Sequence, residues 1–275
     1  MNAVNIGHII KNSDSKFLKS LPEFAIKIIA RIIKQDELNQ LLEKYSEYQG
    51  VDFLPKIIEE LNIKIEIEGK ENLPENGKCF FVANHPFGVL DGLILTSIVG
   101  EKYGTLKAIG NDVFRFVPNL KPIIVNVSVF GKNCRENLIE LEKVFSSEVP
   151  ITHFPYGLVS RIYNFKIQDK VWKKSFITKA FLNQRDIVPI RFYGRNSLLF
   201  YSIFLFRQAF RINANIELIL LPRELFRKKG KNINVKIFEP ILYQELDDGS
   251  SPQIWAEKLR SLIYDLEFNN KINKN

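Results

Sequence analysis

Phe80-Phe81-Val82-Ala83-Asn84-His85-Pro86-Phe87-Gly88-Val89-Leu90-Asp91-Gly92 is an apolar run that meets a histidine, bends at a glycine and begins a helix. Residues 79–84 have the short, uninterrupted apolar pattern of a strand buried on both faces. Residues 89–99 carry the helix that follows. In open α/β sheets, ligands bind at the carboxyl ends of strands, and His85 stands at such an end. Gly88 lets the backbone bend sharply, and Asp91 lies close enough in the chain to fold back onto the imidazole. A carboxylate bonded to one ring nitrogen fixes the tautomer and leaves the other nitrogen as a base near neutral pH. Such a base takes the proton from a hydroxyl or amine as it attacks a carbonyl. The plainer reading has Asn84 and Asp91 merely capping a turn and a helix. The pattern alone leaves both open.

The same alternation extends outward from this stretch. Residues 63–67, 105–109, 122–127, 150–155, 187–193, 216–221 and 233–238 read as strands. Residues 136–145, 176–183, 197–210 and 253–267 read as helices, ahead of a polar tail, 269–275. This predicts an α/β fold over residues 63–275, a mainly parallel sheet flanked by helices. Residues 1–62 read as an N-terminal amphipathic helical arm. Within it, 16–35 predicts one helix, with Pro22 a kink or a late start, and 36–48 and 52–61 two shorter ones. The polar residues of 16–35 form a narrow stripe, so its apolar face is far wider than the roughly 100° of an ordinary surface helix. That face suits a membrane anchor, or a cap packed on neighbouring helices.

Thirty-nine basic residues against thirty-one acidic ones give a net charge of +8, which attracts polyanions. No nucleic-acid module is recognisable and aromatics do not interleave with a basic stripe, so nucleic acid is not an expected partner. Cys79 and Cys134 have neither disulfide nor metal spacing, which predicts no metal and fits a reducing compartment. Residues 1–12 lack the order of a secretory signal. No stretch reaches the ~18 apolar residues of a spanning helix; the longest, 196–206, is closed by Arg195 and Arg207. The expected place is peripheral, on the cytoplasmic side of the inner membrane. Of the other histidines, His8 has no companion, and His153 reads as a core residue with its hydrogen bonds met.

Several blocks in order now resemble one family. They are Asn84–Gly92, then Phe154-Pro155-Tyr156-Gly157-Leu158-Val159-Ser160-Arg161, then Asp169–Phe176, Val188-Pro189-Ile190 and Gly194–Ser197. Together they resemble the glycerolipid (lysophosphatidate-type) acyltransferase superfamily over about residues 30–245. Closest is the branch of bacterial proteins labelled hemolysins and the enzymes of ornithine- and glycine-lipid synthesis. The resemblance implies an acyltransferase with an acyl carrier protein or coenzyme A thioester as co-substrate, a membrane lipid as acceptor, and no cofactor. It makes His85 the general base and Asp91 its holder. It also places Asn84, Gly88, Phe154, Pro155, Tyr156, Gly157, Ser160 and Arg161 around the acceptor, and Val188, Pro189 and Ile190 in the acyl pocket. No GxSxG or Cys/His signature offers a covalent nucleophile.

Two departures from the superfamily bear on the acceptor. Tyr156 stands where glutamate is usual, and no arginine near Asn126 and Lys132 matches its partner. Phosphate recognition favours arginine forks, so the expectation shifts to a lyso-aminolipid, with Arg161 meeting its carboxylate. Lys173, Lys174 and Arg195 suit docking of an acidic acyl carrier protein, or simply a solvated face. A membrane-lytic protein and a lipid hydrolase on the same fold remain the alternatives.

Overall fold

The computed structural model describes residues 4–12, 19–111, 117–127 and 135–265. Cys134, Lys132, residues 16–18, 266–267 and the tail 269–275 lie outside them. The arm contains α1 (Ile6–Lys11), α2 (Glu23–Ile32), α3 (Gln35–Lys44) and α4 (Phe53–Glu60). Then come β1 (Lys64–Glu68), β2 (Cys79–Ala83), α5 (Val89–Tyr103), β3 (Lys107–Asn111), β4 (Ile124–Val127), α6 (Arg135–Ser146) and β5 (Ile151–His153). The hairpin β6 (Arg161–Tyr163) and β7 (Lys166–Gln168) leads into α7 (Ser175–Leu182) and β8 (Asp186–Phe192). The chain closes with α8 (Leu198–Ala209), α9 (Leu221–Phe226), β9 (Asn232–Ile237) and α10 (Pro252–Tyr264).

Among the described residues, seven strands form one sheet in the order β1-β9-β8-β2-β5-β3-β4. Every neighbouring pair is parallel except β8 with β9. The expected α/β fold with a mainly parallel sheet is therefore the observed one. All five residues of β2 are buried. Strand side chains alternate between faces, so Phe81 and Ala83 join one core, with Ile94 of α5 and Leu54 and Ile57 of α4. Phe80 and Val82 join the other, with Phe176 of α7 and Leu259 of α10. Each such side chain contributes about 1.5–3 kcal/mol on burial, against about 0–1 kcal/mol for an exposed ion pair. These two apolar layers hold the sheet. Val4, Leu41 and Phe53 of the arm belong to the first of them, so arm and sheet share a core.

The topology decides where a site forms. Strands β8, β2 and β5 are neighbours and run the same way, so the chain leaving each of them emerges at one end of the sheet. Because β9 runs against β8, its first residues lie at that same end.

Three local expectations change. The helix expected over 16–35 has the late start that Pro22 offered, since Pro22 caps α2, but it ends early: Lys34, at φ 59°, turns the chain into α3. The broad apolar face of α2 divides. Ile26, Ile29 and Ala30 pack on Ile6 and Ile10, while Phe24, Ile28 and Ile32 are 68%, 55% and 42% exposed. Residues 216–221, expected as a strand, form a 3₁₀ turn, Ile216–Leu220. Three residues per turn put Glu217 and Leu220 on one face, and both are buried. The hairpin β6–β7 had not been expected; Asn164 and Phe165, both at positive φ, form its tip.

Arg185 has no exposed surface, and its guanidinium donates to the carbonyls of Val144, Phe145, Ser147 and Val149, closing the turn from α6 into β5. Arg185→Met keeps the stem but strands these carbonyls. It should lower the unfolding free energy by about 2–4 kcal/mol, read from urea denaturation.

Candidate active site

Three loops converge at the carboxyl end of the sheet, and hydrogen bonds from side chains and backbone lock them together. Asn84 ends β2, and its side chain both donates to the Phe192 carbonyl at 3.0 Å and accepts from the Phe192 N–H at 2.7 Å. That pair ties the end of β2 to the end of β8. The Ser160 N–H donates to the His85 carbonyl at 2.8 Å, tying the loop after β5 to the histidine. Phe154, the first residue past β5, stacks on the imidazole with ring centroids 3.9 Å apart.

Asp91 is the third residue of α5 and has no exposed surface. One carboxylate oxygen accepts from the N–H groups of Phe87 at 2.8 Å and Gly88 at 3.3 Å. The other accepts from the Gly92 N–H at 3.0 Å and lies 2.8 Å from His85 Nδ1. The ring plane does not aim Nδ1–H squarely at that oxygen, a looseness common in unliganded sites. Gly88 makes the turn possible. Its φ is +85°, and a Cβ there would come within 2.7 Å of a Leu221 methyl. The imidazole is 16% exposed, between the Phe154 ring on its face and Asp91 at its edge. This arrangement fixes one ring nitrogen and leaves the other free to take a proton.

The remaining expected residues divide between the site and its supports. Pro155 is buried beside Phe154, and Gly157, at φ +75°, closes a turn by donating to the Phe154 carbonyl at 2.9 Å. A Cβ on Gly157 would stand 3.3 Å from Lys173 Nζ, so that ammonium borders the loop. The Tyr156 hydroxyl bonds that of Tyr163 at 2.8 Å, and burial raises the Tyr156 phenol above its ordinary range. Lys174 and Arg195 are exposed. Val188 and Ile190 have no exposed surface and belong to the first core, and Pro189 between them is buried as well.

Two expected contacts are corrected. Arg161 is 1% exposed and cannot meet a substrate carboxylate: it pairs with Glu217 at 2.7 Å and donates to the Val159 carbonyl and Asn215. Glu217, itself without exposed surface, also binds Arg207 at 2.9 Å. The Ser160 hydroxyl faces inward too, donating to Asp169 at 2.6 Å. Trp172 Nε1 donates to the other Asp169 oxygen at 2.9 Å, and the Tyr264 hydroxyl accepts from the Asp169 N–H at 2.9 Å. Burial raises the Asp169 carboxyl above its ordinary value, and the Ser160 and Trp172 donors oppose that rise. These groups brace the loop from behind. Sequence reading assigned no role to Asp169, Glu217 or Tyr264; only Asp169 carried a signal, since it opens the block that ends at Phe176.

Comparison with known proteins gives the family and the fold. The family model described as acyltransferase matches residues 9–272. A lyso-glycine lipid O-acyltransferase of Phocaeicola vulgatus is 38% identical, covering 96% of this chain and 95% of its own length. One of Bacteroides thetaiotaomicron is 36% identical, with 96% and 97% covered. The crystal structure of the 1-acyl-sn-glycerophosphate acyltransferase of Thermotoga maritima shares the fold, with a TM-score of 0.50 at 15% identity over 94% of this chain and 84% of that one. The chain belongs to the acyltransferase family, within the glycerolipid acyltransferase superfamily, and is a lipid acyltransferase.

His153, expected to be a satisfied core residue, ends β5 facing Phe176, and its buried Nδ1 has no hydrogen-bond partner. Burial, aided by the nearby Lys173 charge, pushes its pKa down from 6.5 to about 3. As pH falls, the unfolded chain therefore takes up this proton first. The associated stability is complete above about 6.5 and is lost progressively toward about 3. His153→Gln should lose less melting temperature than the parent between pH 7 and about pH 4.5, measured by differential scanning calorimetry.

Proposed function

We propose that this member of the acyltransferase family moves a fatty acyl group from a thioester onto the hydroxyl of a lyso-aminolipid, at a membrane surface, with His85 as general base. The observation that carries the reading is the 2.8 Å approach of His85 Nδ1 to an Asp91 carboxylate that three backbone N–H groups already hold. With that edge occupied, Nε2 accepts the acceptor's proton as the hydroxyl oxygen attacks the thioester carbonyl. The C–S bond then breaks, and the departing sulfur takes the proton from the imidazolium. No acyl-enzyme is needed. The cover of Phe154 over the ring limits access of water, which favours transfer over hydrolysis.

The acceptor class draws on the similar proteins, both named for O-acylation of lyso-glycine lipid. It also draws on Tyr156, whose hydroxyl already bonds Tyr163 and offers no charge for a phosphomonoester. An acyl carrier protein or coenzyme A would deliver the thioester from the cytoplasmic side. Lys173, Lys174 and Arg195, all exposed, offer positive charge to such donors.

Membrane association rests on exposed apolar surface. Phe24, Ile28 and Ile32 repeat every fourth residue along α2, with Lys27 and Arg31 beside them. Leu198 and Phe206 of α8 are exposed as well, as is Phe210 just past its end. Ile219, in the 3₁₀ turn that packs against α8, also touches the α1–α2 cluster, so the two apolar surfaces are neighbours. No helix among the described residues is long and apolar enough to cross a membrane.

His85→Ala should lower turnover by about 10²–10⁴-fold with unchanged circular dichroism and melting temperature. Asp91→Asn should cost less. Near-normal turnover of folded His85→Ala would refute the mechanism. Given one acyl carrier donor, lyso-glycine lipid should be acylated faster than lysophosphatidate; the reverse preference overturns the acceptor assignment. The double variant F24S/I28S should bind anionic vesicles more weakly in co-sedimentation while keeping its helical signal.

A further inference from the structure

The end of β8 and the start of β9 enclose a half-open basin of about 420 Å³ that the chemistry above does not use. Its floor includes Phe87, two residues beyond His85, and its rim includes Gly194, Arg195, Asn196, Lys228 and Lys231. The contact between the two loops is close. Gly194 has φ +143°, and a Cβ on it would lie 2.2 Å from the Phe87 ring. Lys228 Nζ stands 4.5 Å above the centre of that ring and donates to the Arg195 carbonyl at 2.7 Å. The basin is thus joined directly to the loop that carries the base.

Two features of it lack a structural explanation. Asn196 is 4% exposed, yet neither its side-chain oxygen nor its nitrogen has a hydrogen-bond partner. Its backbone N–H is already satisfied by the Tyr201 hydroxyl at 3.2 Å, so the carboxamide is not needed to hold the turn. Buried carboxamides are paired in the great majority of structures, and leaving one unpaired costs folding free energy. The second feature is charge. Arg195, Arg227, Lys228 and Lys231 face the basin with Glu224 as the single acid in its lining. Glu224 accepts from the Ser197 N–H at 2.7 Å, the Ser197 hydroxyl at 2.6 Å and Arg223 at 2.8 Å, and its carboxylate lies 4.0 Å from Arg227 Nε, so one acid stands against four cations. Burial lowers the Lys228 ammonium pKa; the Glu224 charge opposes that shift, and the charges of Arg227, Lys231 and Arg195 add to it. An anion in the basin would relieve that crowding.

A carboxamide presents one acceptor and two donors, the complement of another amide. We propose that this basin binds an amide flanked by an anion, with Asn196 pairing the amide and Arg195, Arg227 and Lys228 receiving the negative charge. The occupant this favours is the acceptor's head, an amino acid carboxylate one carbon from the amide that joins it to its acyl chain. The assignment rests on the lyso-aminolipid reading above, and it gives the carboxylate the cations that Arg161 cannot supply. A chain leaving this amide past Phe87 heads toward His85. The donor's phosphopantetheine arm also combines amides with an anion, but its phosphate lies many bonds from the amide nearest sulfur. Here the cations adjoin Asn196 directly, through Arg195 and the Lys228 bond to its carbonyl.

The test uses the full-length protein and direct binding, so that it does not depend on turnover. N-acetylglycine stands for the acceptor head, its methyl ester for the same head without charge, and 4′-phosphopantetheine for the donor arm. N-acetylglycine should bind the parent measurably, by calorimetry or ligand-observed NMR, and the ester should bind more weakly. Asn196→Leu should weaken N-acetylglycine by about tenfold while melting at the same or a higher temperature, since it removes unpaired buried polar atoms. A merely structural asparagine would instead melt lower. Arg195→Ala should erase the preference for the acid over the ester. Phosphopantetheine binding that depends on Asn196 while N-acetylglycine binding does not would overturn the acceptor assignment. Binding of either probe that is indifferent to Asn196 would overturn the basin itself. Failure of the parent enzyme to acylate any lyso-aminolipid would fail the functional reading alone and leave these binding results standing.

Discussion

A carboxylate with no exposed surface must find its partners inside the protein, because an unpaired buried charge costs far more than any single contact returns. Asp91 finds them in the backbone of its own turn, from Phe87, Gly88 and Gly92, and in the ring of His85. For those N–H groups to converge, the chain between β2 and α5 must double back within a few residues. Gly88 meets that demand with a positive φ and no side chain, against Leu221 and Val159. The position of the His85 imidazole is therefore fixed by the folding of the turn that follows it. Asn84, bonded to both polar groups of the Phe192 backbone, keeps the whole turn in register with β8.

Those parts of the molecule that depend on neighbours in sequence were legible in the sequence. Strand β2, the histidine at its end and the carboxylate at the start of α5 occupy one run of thirteen residues, and periodicity with turn chemistry suffices to read it. The order of strands and helices followed from the same signals. What escaped depended on partners far apart in the chain. Arg161 was expected to meet a substrate carboxylate, but its partner is Glu217, 56 residues later in the chain. Residues 216–220 read as a strand because their apolar content is β-like, yet burying Glu217 between Arg161 and Arg207 imposes a period of three. The helix expected across 16–35 ran past the left-handed turn at Lys34, which lets α3 return to α1 through Gln35 and Asn39.

The one antiparallel pairing in the sheet has an effect beyond its own hydrogen bonds. Had β9 run parallel to β8, its first residues, with Lys228 and Lys231 before them, would lie at the amino end of the sheet, far from His85. Reversal brings this basic turn beside Arg195 and Phe87. A cationic surface next to the His85 turn thus follows from strand direction, and no sequence motif announces it. The Tyr193 N–H bond to the Asn234 carbonyl, at 3.1 Å, continues the pairing to the edge of the basin.

The shared core of arm and sheet has a thermodynamic consequence. Leu41, Leu42 and Phe53 are packed with Phe81 and Ile94, so the arm cannot detach as an independent tether; its ordering and that of the sheet form one cooperative unit. Whatever binds the folded form through the exposed face of α2 therefore acts as a ligand for the entire domain, and mass action raises the stability of the sheet along with the arm. A membrane bound through that face, as proposed, would become a component of the unfolding equilibrium, and the lifetime against proteolysis would be set partly by how much of that membrane is at hand.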